Sequence, residues 1–452
     1  MASTTDSKNR IPVIIDTDPG VDDILAILLA LASPEIDVKA IIITFGNTDL
    51  EAAHLNILRL SQVLSRHFQV DSDSSTRFFN FTRDKKIILA KGADRPLEGD
   101  LHSAQYFHGR DGLGGISERY KEFDVFPNNP ELYPNLIFSE KSGVEVAHDV
   151  LSSEPERTVT YIVLGPLTTL AQVARAHGDL LRNRIGRVAC MGGALDVPGN
   201  TSPVAEFNFF ADPYAVHEIL TPANPAAAAI PLDRFMLISL DITTPHELPF
   251  PFYAKHIDTH FTDTKNPSIT SLKTPLVHFT SAFLERTREV MLSFGKDAME
   301  LHDIVAVWFA TQNPPSASQE GDVAHSLREG WAAVPRHFQV ERVGEITRGM
   351  LVVDRRDDEG AYDPGANRAA VQAELTKHSF HSSGIMESNA VPAQVEVEVP
   401  PSMQNSPNTG APQKGDTAQL KQTPGIPVLV KTPGPEALLK LMTERVWGVS
   451  IP

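Results

Sequence analysis

Four aspartates, Asp16, Asp18, Asp22 and Asp23, fall within eight positions between two strongly apolar runs, IPVII (11–15) and ILAILLALA (24–32). The first run has the length of a buried strand. The second suits a largely buried helix over 22–32, closed by Ser33-Pro34. The junction therefore gathers negative charge where a core strand meets a core helix. Any fold for this chain has to give that charge a use.

The same alternation continues. VKAIIITFG (38–46), IILAKG (87–92), TYIVLG (160–165), RVACMGG (187–193) and MLISLDI (236–242) read as further strands. Helical patterns lie at 49–66, 143–152, 167–177 and 212–220. Strands alternating with helices predict an α/β fold with a largely parallel sheet. In such sheets ligands gather beyond the carboxyl ends of the strands. Polar clusters stand at several of those ends: 16–23 after the first, Asn47 after the second, 191–200 after a later one.

The expected organisation is a disordered N-terminus (1–10), one catalytic domain (11–380), a disordered insertion (381–425) and a C-terminal segment (426–452) whose 433–447 stretch returns as a helix. The 381–425 segment is rich in Pro, Ser, Gln and Asn, and no aromatic residue occurs between Phe380 and Trp447. Such a composition buries too little surface to offset its ordering entropy. Residues 71–85 and 122–140 also read as surface insertions, the first from its Ser, Asp and Thr, the second from its NNP and YPN turn signals. With a formal net charge of −17, neither nucleic acid nor an anionic membrane is expected as the main partner. A single cysteine, Cys190, excludes an intramolecular disulfide and a Cys-rich metal site. MASTTDSKNR lacks a secretory apolar core, and no run reaches the roughly 18 apolar residues of a membrane span. A cytoplasmic location is the expectation.

Asp16 and Asp18 alternate by two, so at the end of a strand they point the same way. Asp22 and Asp23 open a helix, where carboxylates meet free N–H groups and a favourable dipole. One of them can serve as a cap, but four acids are too many for capping. Like charges this close raise one another's pKa unless a cation sits among them, and hard oxygen ligands suit Ca²⁺ or Mg²⁺ rather than zinc. Further ligands are expected from LHDIVAVWFA (301–310), where His302-Asp303 opens another apolar helix, and from GNTSPVAEFNFFADP (199–213). In the latter, Glu206 and Asn208 share a face if the segment is extended, with Phe207 turned to the core. Read singly, His302-Asp303 is a cap beside a surface histidine and Asn200 is turn chemistry.

These stretches, taken in order, resemble the nucleoside hydrolases of the inosine-uridine-preferring type. DTDPGVDD is followed by TFGNTDLEAA (44–53), KGADRPL (91–97), HGRDGLGG (108–115) and LGPLTTLA (164–171). MGGALDVPGNTSPVAEFNFFADP (191–213), LDIT (240–243), LHD (301–303) and GEITRGMLVVDRR (344–356) complete the series. The resemblance implies hydrolysis of the N-glycosidic bond of a ribonucleoside, an open α/β fold with a largely parallel mixed sheet flanked by helices, a tightly bound Ca²⁺, and a homodimer or homotetramer. By motif position it implies Asp18, Asp23, Asp303 and the main-chain oxygen of Leu164 as calcium ligands. Asp22 would hold the ribose 2′-hydroxyl; Asn47, Asn200, Glu206 and Asn208 would make or support other sugar contacts, and Met191 a backbone contact. Asp18 would be the general base and His302 the proton donor to the departing base, with His108 near that base. Asp16 would order the cluster. His256 and His260 fall in a stretch read as a mobile loop and receive no role.

Two departures stand out: Leu164 where the family often has threonine, and Thr169 where asparagine commonly follows GPLT, read as a helix-capping or supporting change. The 122–140 insertion, which follows the HG segment, is expected near the pocket rim. Two other readings compete. A haloacid dehalogenase-type phosphatase also places D-x-D after its first strand and uses Mg²⁺, with Asp16 as nucleophile and Asp18 as its partner, but it leaves Asp22-Asp23 and AEFN unexplained. The other is a catalytically silent nucleoside- or metal-binding protein. Base preference is not legible, because uridine, inosine, cytidine and nicotinamide riboside would share the ribose contacts.

Overall fold

The structure is a computed structural model that describes residues 10–82, 84–222, 228–315, 327–355 and 425–451. The chain divides into two units, residues 1–352 with 424–452 and residues 353–423. The elements below belong to the first. The boundary expected at 380 and the disorder expected for 1–9 and 381–424 fall outside the described residues, whereas Arg10 donates to Asn80 Oδ1 at 2.7 Å and Gly425 leads directly into the strand Ile426–Lys431.

Among the described residues nine strands form one sheet. They are β1 (Ile11–Thr17), β2 (Ile36–Ile43), β3 (Ile87–Lys91), β4 (Leu136–Phe138), β5 (Val159–Val163), β6 (Ile185–Met191), β7 (Phe235–Ile238), β10 (Ala332–Arg336) and β13 (Ile426–Lys431). Two small sheets add β8 (Glu247–Pro249) with β9 (Ala298–Glu300), and β11 (Gln339–Val340) with β12 (Leu351–Val352). The main order is β10-β13-β7-β6-β5-β1-β2-β3-β4, parallel throughout except where β10 runs against β13. β1 lies between β2 and β5, so the order reverses there: β2, β3 and β4 run outward on one side, β5, β6 and β7 on the other. A crevice opens at such a reversal, beyond the strand ends. The four aspartates follow β1 directly.

The continuous apolar character of β1 now has its cause. Both faces of its sheet are covered, and Val13, Ile14 and Ile15 are fully buried. The first helix, α1 (Val21–Leu31), is buried at every position but Asp22 and packs against the helix His302–Gln312, itself almost wholly apolar and buried. Two helices apolar all round can only be central ones.

Two of the expected surface insertions are more than that. Within 71–85, a 3-10 turn (Ser72–Arg77) leads to Phe78 and Phe81, both in the core. Asn80 is fully buried; its Nδ2 donates to the carbonyls of Ala30, Ser33 and Ile36 while Oδ1 accepts from Val38 N, stapling the turn between α1 and β2. Within 122–140, Leu136–Phe138 is the edge strand β4, and Phe123 and Tyr133 are buried. Polar composition concealed the few large side chains that anchor each segment. The stretch around His256 and His260 is likewise held: His256 ends the helix Phe250–His256, and Asp258 forms a buried ion pair with Lys273 at 2.5 Å. The segment 426–431, given no strand in advance, is β13, and the expected C-terminal helix follows as Pro435–Met442 with a π-helical turn, Thr443–Trp447. Among the described residues no helix is long and apolar enough to cross a membrane.

Candidate active site

Packing α1 against the helix His302–Gln312 brings their N-termini together. Carboxylate oxygens of Asp22, Asp23 and Asp303 lie within 4.8 Å of one another. Residues nearly 300 positions apart thus meet at two positive helix ends, which partly offset their charge. Asp23 also does the capping work considered for this pair: its carboxylate accepts from Gly20 N (3.0 Å), from the Thr17 hydroxyl and from Asn47 Nδ2 (2.8 Å). Asp18, fully buried at the end of β1, accepts from Asn47 N through Oδ2 (2.7 Å), whereas its buried Oδ1 has no hydrogen-bond partner among the described residues. Asn47 therefore holds two acids at once.

Close approach dictates two glycines here. A Cβ on Gly46 would stand 1.9 Å from Asp18 Oδ2, and one on Gly20 would stand 2.6 Å from His108 Nδ1 and 2.7 Å from Asn47 Nδ2. No side chain fits in either place.

The carboxyls carry the mark of their crowding. Burial first, then the charge of Asp23, pushes Asp18 well above the usual carboxylate range and pushes Asp22 up to about 8. Asp303 is raised well above its ordinary value by burial, then by Asp22, Asp23 and Asp18. Buried acids that lack a neutralising partner, one with an orphaned oxygen, fit a hard divalent cation. Asp16 differs from them. It is fully buried, takes a hydrogen bond from Tyr161 OH (3.0 Å) and is pushed up to about 8 by burial. With Oδ2 taken by the Tyr161 hydroxyl and no place in the cavity lining, it orders the strand end, which does not favour the phosphatase reading.

Above the acids opens a cavity of about 440 Å³. Its lining includes Asp22, Asn47, His108, His302 and Asp303, together with Leu164, Met191, Asn200, Glu206 and Asn208. Asp18 and Asp23 lie buried behind this lining. The residues given metal, substrate or proton-transfer roles from the sequence thus line the cavity or, as Asp18 and Asp23 do, join its lining through Asn47, whereas Asp16 stands apart from it. The expected 122–140 contribution to the rim is absent; none of its residues lines the cavity, because its aromatic anchors go to the core instead, Phe123 packing on His278 and Phe279.

The AEFN segment is not extended, as the two-residue spacing suggested. Glu206 caps a short helix, Phe207–Ala211, accepting from Asn208 N (2.8 Å) and Phe209 N (3.1 Å) and also from Gly193 N (2.8 Å). Phe207 is buried in a small core cluster with Phe45 and Ala211, as expected, and also lines the cavity. Asn208 Nδ2 donates to Leu164 O at 2.6 Å, leaving that carbonyl its second lone pair. Asn200 Oδ1 accepts from Phe207 N (2.9 Å) and so fixes the loop against this helix. Thr169 does not cap its helix: its Oγ1 accepts from Ala93 N (3.1 Å), tying the end of β3 to the GPLT turn.

Both histidines are neutral near pH 7. Burial lowers His302 and His108 to about 4 each. His108 Nδ1 accepts from Val21 N (3.2 Å), and His302 Nδ1 pairs with the Thr243 hydroxyl at 2.8 Å. Thr243 was missed because 236–242 reads as one strand; β7 stops at Ile238 and a short helix, Leu240–Thr243, aims the hydroxyl at His302. Also missed were Tyr106, Phe107, Met291, Phe294, Lys296 and Glu300, which line the remaining wall. They belong to no acid-rich motif. The one available signal was that Glu300 stands two positions before the histidine of LHD.

The comparisons agree with this geometry. A family model described as inosine-uridine preferring nucleoside hydrolase matches residues 13–382. The pyrimidine-specific ribonucleoside hydrolase RihA of Citrobacter koseri is 31% identical over 344 residues, covering 76% of this chain and 88% of that protein. Its counterpart in Klebsiella pneumoniae is 30% identical with the same coverage. Among solved structures, an inosine-guanosine nucleoside hydrolase superposes with a TM-score of 0.62 at 20% identity, covering 98% of this chain and 100% of the other. A purine-preferring ribonucleoside hydrolase from Gardnerella vaginalis gives 0.59 at 20% identity, covering 97% and 98%. These last two speak for the fold alone.

Proposed function

The chain belongs to the inosine-uridine preferring nucleoside hydrolase family, and from that premise we propose how its own residues carry out the reaction. It is a hydrolase acting on N-glycosyl compounds, cleaving a ribonucleoside to ribose and free base. The observation that supports the assignment of roles is the meeting of Asp22, Asp23 and Asp303 beside the orphaned Asp18 Oδ1, at the point where the strand order reverses.

Asp18, Asp23, Asp303 and the Leu164 carbonyl would hold a Ca²⁺ ion, the choice that all-oxygen ligands favour. When bound, the ion supplies positive charge that orients a water and lowers its pKa. Asp18 would take the proton from the water that attacks C1′. Asp22 accepts from a ribose hydroxyl, while Glu206, Asn208 and Asn200 fix the rest of the sugar. Holding the ring against the nucleophile is worth up to ~7–11 kcal/mol in well-oriented cases. The surrounding carboxylates also suit the positive charge that develops on the sugar.

The departing base meets His302. If Thr243 donates to Nδ1, the ring proton sits on Nε2, the nitrogen left for the base. The resting ring is neutral, but a base carrying away the bond electrons adds negative charge beside it and raises its hold on a second proton. His108 supports the same side of the cavity.

A panel of ribonucleosides assayed for released ribose, with and without chelator, tests the reaction and the metal together. Release abolished by chelator and restored by Ca²⁺ is expected. Binding without release of free base would favour a silent binding protein instead.

A further inference from the structure

Among the described residues that line the cavity, Lys296 is the only lysine or arginine. Its placement is built. The helix Pro275–Ser293 ends at Gly295, whose φ of +81° is left-handed, and Lys296 N closes the turn on Met291 O at 3.0 Å. The chain then enters β9, where Glu300 is paired in register with Glu247 of β8. Like charges directly opposed on neighbouring strands repel. Lys296 Nζ answers both, at 2.6 Å from Glu247 Oε1 and 2.7 Å from Glu300 Oε1. Lys296 and Glu300 line the cavity, whereas Glu247 does not.

The ammonium is therefore fixed in position with two of its three protons engaged and one available. Glu300 keeps its second carboxylate oxygen. Phe107, Met291, Phe294 and Met299 add apolar and aromatic surface to the lining of the same cavity. Flat apolar walls with one donor beside one acceptor match the faces and edge of a heteroaromatic ring.

We propose that Lys296 is a specificity-determining residue for the nucleobase: its free N–H meets a ring carbonyl oxygen, and the second oxygen of Glu300 accepts the neighbouring ring N–H. The inference rests on the ribonucleoside reading above. When the C1′–N bond breaks, both its electrons go to the base nitrogen, and C1′ gains its new bond from the water oxygen while the water's proton passes to Asp18. On an oxo base the negative charge spreads through the ring onto the carbonyl oxygen. Lys296 meets that charge as it grows, so its contribution is larger in the transition state than in the bound substrate. The base anion finally takes a proton from His302 or solvent. An amino group at the same place presents N–H to the ammonium and leaves the Lys296 proton unpaired.

The test uses the full chain loaded with Ca²⁺ and compares K296M and K296R with the unaltered protein on uridine, inosine, cytidine and adenosine. K296M is expected to lower kcat/KM about 10–100-fold on the oxo nucleosides, the scale of one charge-assisted hydrogen bond. The amino nucleosides should change only a few-fold, and K296R should recover part of the loss. Inhibition by free uracil and hypoxanthine against cytosine and adenine reads the same contact wherever an amino nucleoside is not turned over. A uniform loss across all substrates, or none, overturns the proposal, the former showing that Lys296 only joins β8 to β9. An unaltered protein inert on all four nucleosides overturns the ribonucleoside reading itself.

Discussion

The two sides of the cavity are built on different plans. The acid side comes from strand ends and helix N-termini, and almost every polar atom on it is already held: Asn47 by two aspartates, Glu206 by three backbone N–H groups, Asn208 by the Leu164 carbonyl. The other side is made of Phe, Met and Tyr side chains with one ion-paired cluster, and Tyr106 and Phe294 are 60% and 65% exposed. A side held this firmly suits a task that never varies, gripping ribose and breaking one bond. A looser apolar side suits the part that differs between substrates, the base.

That contrast can be broken most directly at Asp18. Asp18→Ala is expected to lower turnover about 10³–10⁴-fold on every nucleoside alike and to weaken metal retention. A loss confined to some bases would mean that the acid side also chooses substrate. His302→Ala should cost about 10²–10³-fold on nucleosides. The loss should be much smaller on a riboside whose leaving group is already acidic; equal losses on the two would remove His302 from proton delivery. Thr243→Val deletes only the partner of His302 Nδ1, and about a tenfold fall in kcat with little change in KM is the expectation. An unchanged kcat would show that the ring needs no such anchor.

The acid side should also announce itself in stability. Asp16 and Asp22 keep their protons up to about 8 in the cation-free fold, whereas unfolded carboxyls lose theirs near 4. The native state then binds more protons than the unfolded chain, and stability falls as pH rises through that window. His302 and His108, lowered to about 4, act in the opposite sense, but only below the unfolded histidine value of about 6.5. Between pH 7 and 8 the carboxyls should dominate. Chelated protein should melt at a lower temperature at pH 8 than at pH 7, and Ca²⁺ should flatten that slope; a melting temperature that climbs with pH under chelator contradicts the account. The smallest effect belongs to the other side. Phe294→Ala, at an exposed position, should shift stability by no more than about 0.5 kcal/mol. It should raise KM by different factors for different bases, and a change in kcat common to all of them would blur the division of labour.

The same division explains what could be read from the sequence. The acid side was legible because each piece is a local motif at a predictable place: D-x-D after a strand, D-D and H-D at helix starts. Their convergence follows from two helices too apolar to lie anywhere but together in the core. Where local rules failed, a tertiary demand had replaced them. Glu206 left the extended path to cap a helix, and Thr243 came from a residue run that reads as strand yet bends into a turn. The apolar wall was invisible, because Met291, Phe294 and Phe107 look like any core residues until the fold leaves them facing open space. In the segments 71–85 and 122–140, one asparagine and a few aromatics outweighed a polar majority.

The position of β13 has a consequence of its own. It sits between β7 and β10, and among the described strands β10 joins the sheet only through it. While the ribosome is still making residues 426–431, β7 presents a bare edge and β10 has nothing to pair with. Exposed edges of that kind recruit other chains. The nascent polypeptide must therefore wait, with its sheet unclosed, through the synthesis of some ninety residues after β10, and truncation anywhere in that span should yield an aggregating product rather than a smaller enzyme.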